Sequence, residues 1–239
     1  TLKTEMVFVE GGTFQMGSND GGSDEKSVHQ VIVGSFLIGK YEVTQELWEI
    51  VMGSNPSEFN ASKRPVENVS WYDAVEFCNK LSEKEGLQKA YSGSGDNITC
   101  DFNADGYRLP TEAEWECAAR GGNKSMGYEY SGSKSIDEVA WYSKNSESTH
   151  LVGKKHPNEL GIYDMSGNVW EWCWDWYDGS YYNTGSHTNP KGANAGSYRV
   201  TRGGSWSFVA EYCRVAYRNC FMPGSRYVNL GFRLVRTKI

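Results

Sequence analysis

Met6-Val7-Phe8-Val9 and Thr13-Phe14-Gln15-Met16 are short apolar-rich runs on either side of Gly11-Gly12, a pattern that predicts two strands about a tight glycine turn. Ser18 to Ser27 is polar and glycine-rich, as a surface loop would be. Val28 to Val43 alternates as a second strand pair punctuated by Gly34 and Gly39. The period then turns helical. Thr44 can cap a helix carrying Leu47, Trp48, Ile50 and Val51 that ends near Gly53. Ser70 with Asp73 starts a second, with Val75, Cys78 and Leu81 on one face and Gly86 as its stop. Thr111 with Glu114 has the spacing of a capping box and opens a third through Trp115, Ala118 and Ala119 to Gly121.

Between the second and third helices, Ser92 to Asp105 is polar, and Gly122 to Glu159 has little pattern. From Leu160 the chain is dense in aromatics, with alternation placing Trp170 and Trp172 on one side of a strand and Glu171 on the other. Tyr198 to Val235 reads as strand, turn, polar loop and final strand. No repeat or linker divides the chain, so residues 1–239 are expected to form one loop-rich α+β domain with short antiparallel strands and about three helices.

Composition narrows the function. The net charge is −6 and no block of like charge reaches five residues, so the basic face that displaces nucleic-acid counterions is missing and no nucleic-acid partner is expected. No stretch approaches the roughly 20 apolar residues of a membrane-spanning helix. The sequence starts at Thr1 without a signal peptide, as a processed or trimmed terminus would. The six cysteines, Cys78, Cys100, Cys117, Cys173, Cys213 and Cys220, include no C-x-x-C pair and none has a histidine at zinc-ligand spacing, which excludes structural zinc. Cys78 and Cys117 fall on helical faces and are expected to be buried. His29, His150, His156 and His187 are scattered through polar segments and are expected at the surface.

Seven segments then occur in order: Val7-Phe8-Val9-Glu10-Gly11-Gly12-Thr13-Phe14-Gln15-Met16-Gly17, Tyr41-Glu42-Val43-Thr44, Pro65-Val66-Glu67-Asn68-Val69-Ser70-Trp71, Tyr107-Arg108-Leu109-Pro110-Thr111-Glu112-Ala113-Glu114-Trp115-Glu116, Gly167-Asn168-Val169-Trp170-Glu171-Trp172, Arg202-Gly203-Gly204-Ser205-Trp206 and Leu230-Gly231-Phe232-Arg233. Across nearly the whole chain these resemble the formylglycine-generating, sulfatase-modifying branch of the C-type lectin fold. In enzymes of that family two carboxy-terminal cysteines bind copper(I), a soft-ligand site that needs both thiolates together. Between Ser205 and Arg214 this chain has only Cys213, Phe208 stands where the first cysteine is expected, and Cys220 lies seven positions on. No catalytic residue and no copper are therefore expected. The resemblance also implies calcium, held by the Asp164 and Glu171 carboxylates and the Gly167 and Val169 carbonyls, oxygen donors that suit Ca²⁺. The alternative is a hydrogen-bonded turn with Glu171 paired to an arginine such as Arg108.

Residues 199–236 are of two kinds. Glycines other than Gly224, with Trp206, Arg214, Ala216, Arg218, Pro223, Arg226, Phe232 and Arg233, match the family framework. Interleaved with them are Ser207, Phe208, Val209, Tyr212, Tyr217, Asn219, Cys220, Phe221, Gly224, Ser225, Tyr227, Val228 and Asn229, which follow no core period. Such interleaving resembles the variable proteins of diversity-generating retroelements. Rigid aromatics mixed with Ser and Asn suit a contact surface; the alternative is that the aromatics belong to the core.

The leading expectation is a non-enzymatic, monomeric binding protein presenting a diversified surface to a protein ligand. It would sit at the cell surface as a bacterial lipoprotein, anchored to membrane only through lipid outside the given sequence. The alternatives are a copper-dependent formylglycine-generating or related sulfur-oxidising enzyme, and a catalytically inactive relative.

Overall fold

The computed structural model describes residues 4–237. Its strands are β1 (Met6–Val9), β2 (Gly12–Met16), β3 (His29–Val33), β4 (Phe36–Gly39), β5 (Tyr91–Ser92), β6 (Thr99–Cys100), β7 (Tyr107–Arg108), β8 (Trp170–Trp176), β9 (His187–Thr188), β10 (Arg199–Arg202), β11 (Asn219–Phe221), β12 (Leu230–Gly231) and β13 (Val235–Thr237). Its helices are α1 (Gln45–Met52), α2 (Trp71–Lys84), α3 (Glu112–Ala119) and the single turn α4 (Ile136–Val139). Long irregular segments join them, as the α+β, loop-rich reading anticipates.

The three expected helices start where their caps stand. Thr44 accepts from the Leu47 N–H, and Gly53 ends α1 in the left-handed conformation. Ser70 with Asp73 and Thr111 with Glu114 each close a reciprocal capping box, satisfying two otherwise orphaned N–H groups per helix.

Strand pairing departs from local expectation. The runs flanking Gly11-Gly12 do not pair with each other: β1 lies antiparallel to β4, and β2 antiparallel to β3. The turn is instead a corner between two sheets, β1-β4-β13-β7 and β2-β3-β9. A Cβ on Gly11 would stand 2.6 Å from the Ser35 nitrogen, so only glycine fits where the corner crosses the β3–β4 link. The β3–β4 run likewise splits between those sheets. Two pairings, β3 with β9 and β12 with β8, are parallel.

The third sheet, β11-β10-β8-β12, carries the aromatic strand. Trp170 and Trp172 point into one buried cluster with Trp48, Trp71, Phe77 and Phe232, while Cys173 joins the second cluster with Trp115, Ile38 and Val200. With both faces of β8 covered, Glu171 points away from the two tryptophans as alternation requires, yet is fully buried. Cys78 and Cys117 are buried as expected.

Candidate ligand-binding face

Residues 203–229 contain only one short strand and a 3₁₀ turn at Ala210–Cys213, so backbone ladders alone do not hold them. Arginines do. Arg202, fully buried, binds Glu112, Glu116 and the carbonyls of Val215 and Ala216. Arg218 clasps Glu112 through Nε at 2.7 Å and Nη2 at 2.9 Å, and reaches the Asp24 and Asp178 carbonyls. Arg214 makes a two-point pair with Glu25 and Arg226 with Asp73. These fork-to-carboxylate contacts fix orientation as well as position.

At the segment's root, Gly203 and Gly204 have φ of 98° and 73°, and a Cβ on Gly204 would lie 2.6 Å from Cys213 Sγ and 2.9 Å from the Tyr212 carbonyl. The pair exists because the chain doubles back onto itself there. Ser166 Oγ donates to the Cys213 carbonyl at 2.7 Å, closing the return.

On this base the interleaved residues face outward. Ser207, Val209, Gly224 and Tyr227 are exposed; Phe208, Tyr212, Tyr217, Asn219, Cys220, Phe221, Ser225, Val228 and Asn229 are partly exposed; none is buried. The framework positions Gly203, Gly204, Ser205, Ala216, Arg218 and Gly231 to Arg233 are buried between them. Phe208, Tyr212, Tyr217 and Phe221 combine both expectations, because one side of each packs on the core. Phe208, Tyr212 and Tyr217 ring Trp170 at 5.4, 6.4 and 6.2 Å and contact one another at 5.1 and 4.6 Å. Phe221 rests on Trp172 and meets Tyr227 at 5.1 Å. Held against two buried tryptophans, these rings lose little further rotamer freedom when a partner covers them. Asn229 Nδ2 donates to Ser207 Oγ at 2.9 Å, so the two ends of the segment meet.

Neighbours from elsewhere in the chain complete the surface. Phe59 stands edge-on to Trp206 at 5.4 Å, the Asn68 N–H donates to the Tyr227 carbonyl, and the Ser143 N–H to the Phe208 carbonyl. Asn68 belongs to one of the seven segments, but no sequence pattern marks Phe59 or Ser143 as neighbours of this face, and the contacts span up to about 160 positions.

The two carboxy-terminal cysteines sit on different elements. Cys213 is buried beneath Gly204 and burial pushes its thiol up to about 12, while Cys220 sits half-buried on β11, its thiol also raised by burial. Both are free, and Phe208 occupies the Trp170 edge. The histidines are not all at the surface, and two of them meet, His29 and His187 standing edge to face with ring centroids 6.2 Å apart. His29 is buried against Tyr182 at 4.5 Å, and His150 stacks on Trp141 at 3.7 Å. Apolar ring faces, rather than solvent, were available to both.

Asp164, Gly167, Val169 and Glu171 share one loop-to-strand passage beside Glu42. Glu171 accepts Arg233 Nη2 at 2.6 Å, and its other oxygen accepts Arg233 Nε and Trp115 Nε1, both at 2.7 Å. Arg108 is instead paired with Glu114. Asp164 accepts from the Gly153 N–H, and burial pushes its carboxyl up to about 6. Burial and the Asp164 and Glu171 charges hold the Glu42 carboxyl well above the usual range while it accepts from Asn168 and Val169. Arg233 already supplies a positive charge to Glu171 at this passage. Among the described residues no group of three or more His, Cys, Asp and Glu side chains is placed to hold a metal.

The chain matches the sulfatase-modifying factor enzyme 1-like domain over residues 1–238. It belongs to that family. It is similar to the chaperone protein LppX of Paenibacillus barcinonensis, 41% identical over all of this chain and 91% of that protein. Among solved structures, Treponema denticola variable protein 1 superposes with a TM-score of 0.91 at 41% identity, covering 98% of this chain and 95% of that one. The formylglycine-generating enzyme of Thermomonospora curvata is more distant, 30% identical over 95% of this chain and 92% of its own length. The C-type lectin-like, formylglycine-generating-enzyme type of fold read from the seven segments therefore stands.

Proposed function

We propose that this protein is a non-enzymatic binding protein whose segment 199–236 presents a diversified face to a protein ligand. The observation that carries the reading is the division within that segment: most family positions are buried and the framework arginines, including the partly exposed Arg214 and the exposed Arg226, are salt-bridged to the scaffold, while all the interleaved positions keep access to solvent. A surface built this way tolerates changes of side chain without loss of its frame, which is what a variable protein requires. The strong likeness to a protein named a variable protein supports it, as does a relative named a chaperone. Its partly exposed aromatic rings set among Ser and Asn are the mix that suits a macromolecular partner.

Catalysis of the formylglycine type would need a second accessible thiolate near Cys213, and the nearest cysteine in sequence lies across the segment on β11. A monomer at the cell surface, lipid-anchored beyond the given sequence, fits a display role. The decisive test is the gene itself. A neighbouring template repeat should differ from the codons of 199–236 only at adenines, beside a reverse transcriptase gene. Absence of both would overturn the reading, and so would aldehyde formation when the protein is incubated with Cu(I), oxygen and a Cys-x-Pro-x-Arg peptide.

A further inference from the structure

A cavity of about 330 Å³ opens on the side of the molecule formed by α1, the end of β4 and the 151–154 turn. None of the candidate face residues lines it. Its walls are apolar at Val43, Leu47, Leu151 and Leu234, and Lys63 and Lys154 stand among them. Its size is at the lower end of the range for small-molecule sites.

One charge on its wall lacks an ionic partner. Glu5, on the wall, is paired with Lys40 at 3.0 Å, and Lys63 is paired with Glu46, which lies off the wall, at 2.6 Å. Glu42, also on the wall, is occupied by Asn168 and Val169. Lys154 is exposed and has no acidic partner among the described residues. The backbone bond from the Val152 N–H to the Lys63 carbonyl at 2.9 Å fixes this turn against the 61–65 strand of chain, so the lysine is held at the cavity rather than on a free loop.

We propose that this cavity binds a small carboxylate-headed aliphatic molecule, its chain against Val43, Leu47, Leu151 and Leu234 and its carboxylate on Lys154. Apolar burial supplies affinity and the unpaired ammonium supplies the preference for an anion. The proposal is independent of the variable-face reading.

Isothermal titration of the whole chain with octanoate, octanol and octylamine tests it. Octanoate should bind at least about tenfold more tightly than octanol, the worth of one charge-assisted bond. Lys154→Glu should abolish that preference and favour octylamine, with the melting temperature unchanged. Leu151→Trp, which fills the mouth, should abolish binding of all three. Absence of octanoate binding, equal binding of octanol, or unaltered octanoate affinity in Lys154→Glu would each overturn the proposal.

Discussion

Glu112 is where the carboxy-terminal segment is tied to the scaffold, and changing it to Gln is the sharpest test of the arginine framework. Its carboxylate serves Arg218 through both oxygens and Arg202 at 3.2 Å, all three groups being buried. Arg202 retains Glu116 after the change, but Arg218 is left with carbonyls and the Tyr182 ring at 4.1 Å. Removing one partner of a buried pair costs about 3–5 kcal/mol, because the other charge stays desolvated. Relief of Asp175, whose carboxyl burial and Glu112 push up to about 8, offsets part of this. A net loss of about 3 kcal/mol corresponds to a drop in melting temperature of roughly 6–12 °C for a chain of this size. Near-ultraviolet circular dichroism, which reports the buried tryptophans, gives the melting temperature, and hydrogen exchange locates the loss. Protection should fall first at residues 199–221. Arg218→Met should cost less, since Glu112 keeps Arg202. A shift under about 2 °C, or a loss of protection spread evenly over the molecule, would refute the argument.

Three further outcomes follow from the geometry. Gly204→Ala should destabilise by roughly 2–4 kcal/mol, from a left-handed backbone plus the contacts with Cys213 and Tyr212, whereas Gly224→Ala, open on every side, should stay within about 0.5 kcal/mol in urea melts. Glu67 is buried with one carboxyl oxygen unpartnered, and burial pushes it up to about 7. The folded state therefore holds its proton more tightly than the unfolded chain, and stability falls as pH rises from about 4.5 to 7; Glu67→Gln should remove that slope and gain roughly 2 kcal/mol at pH 8 relative to its difference at pH 4. Calcium or a chelator should move the melting temperature by less than about 1 °C, because Arg233 already holds Glu171; a rise of several degrees with calcium would show that the pair yields to the ion.

Local chemistry carried α1, α2 and α3, since each begins at a Thr or Ser whose hydroxyl caps an N–H three residues on, and that geometry needs no distant partner. It carried the alternation of Trp170, Glu171 and Trp172 for the same reason. The candidate face was legible because framework and filler residues differ in kind along 199–236. What local pattern left open was partnership. Whether β1 pairs with β2 or β4, which arginine takes Glu171, and whether His29 meets water or Tyr182 are set by which segments arrive at one place, and those arrive from far along the chain.

Gly203-Gly204-Ser205-Trp206 shows the division most clearly. The sequence alone determined that the chain turns tightly there and that the thiol pair of the catalytic relatives is missing. Only the tertiary structure decided why the glycines are needed, with Cys213 folded back beneath them, and which side of Phe208, Tyr212 and Tyr217 meets solvent. Burial is a property of the assembled neighbours: the same ring is core on the face that touches Trp170 and surface on the face that does not.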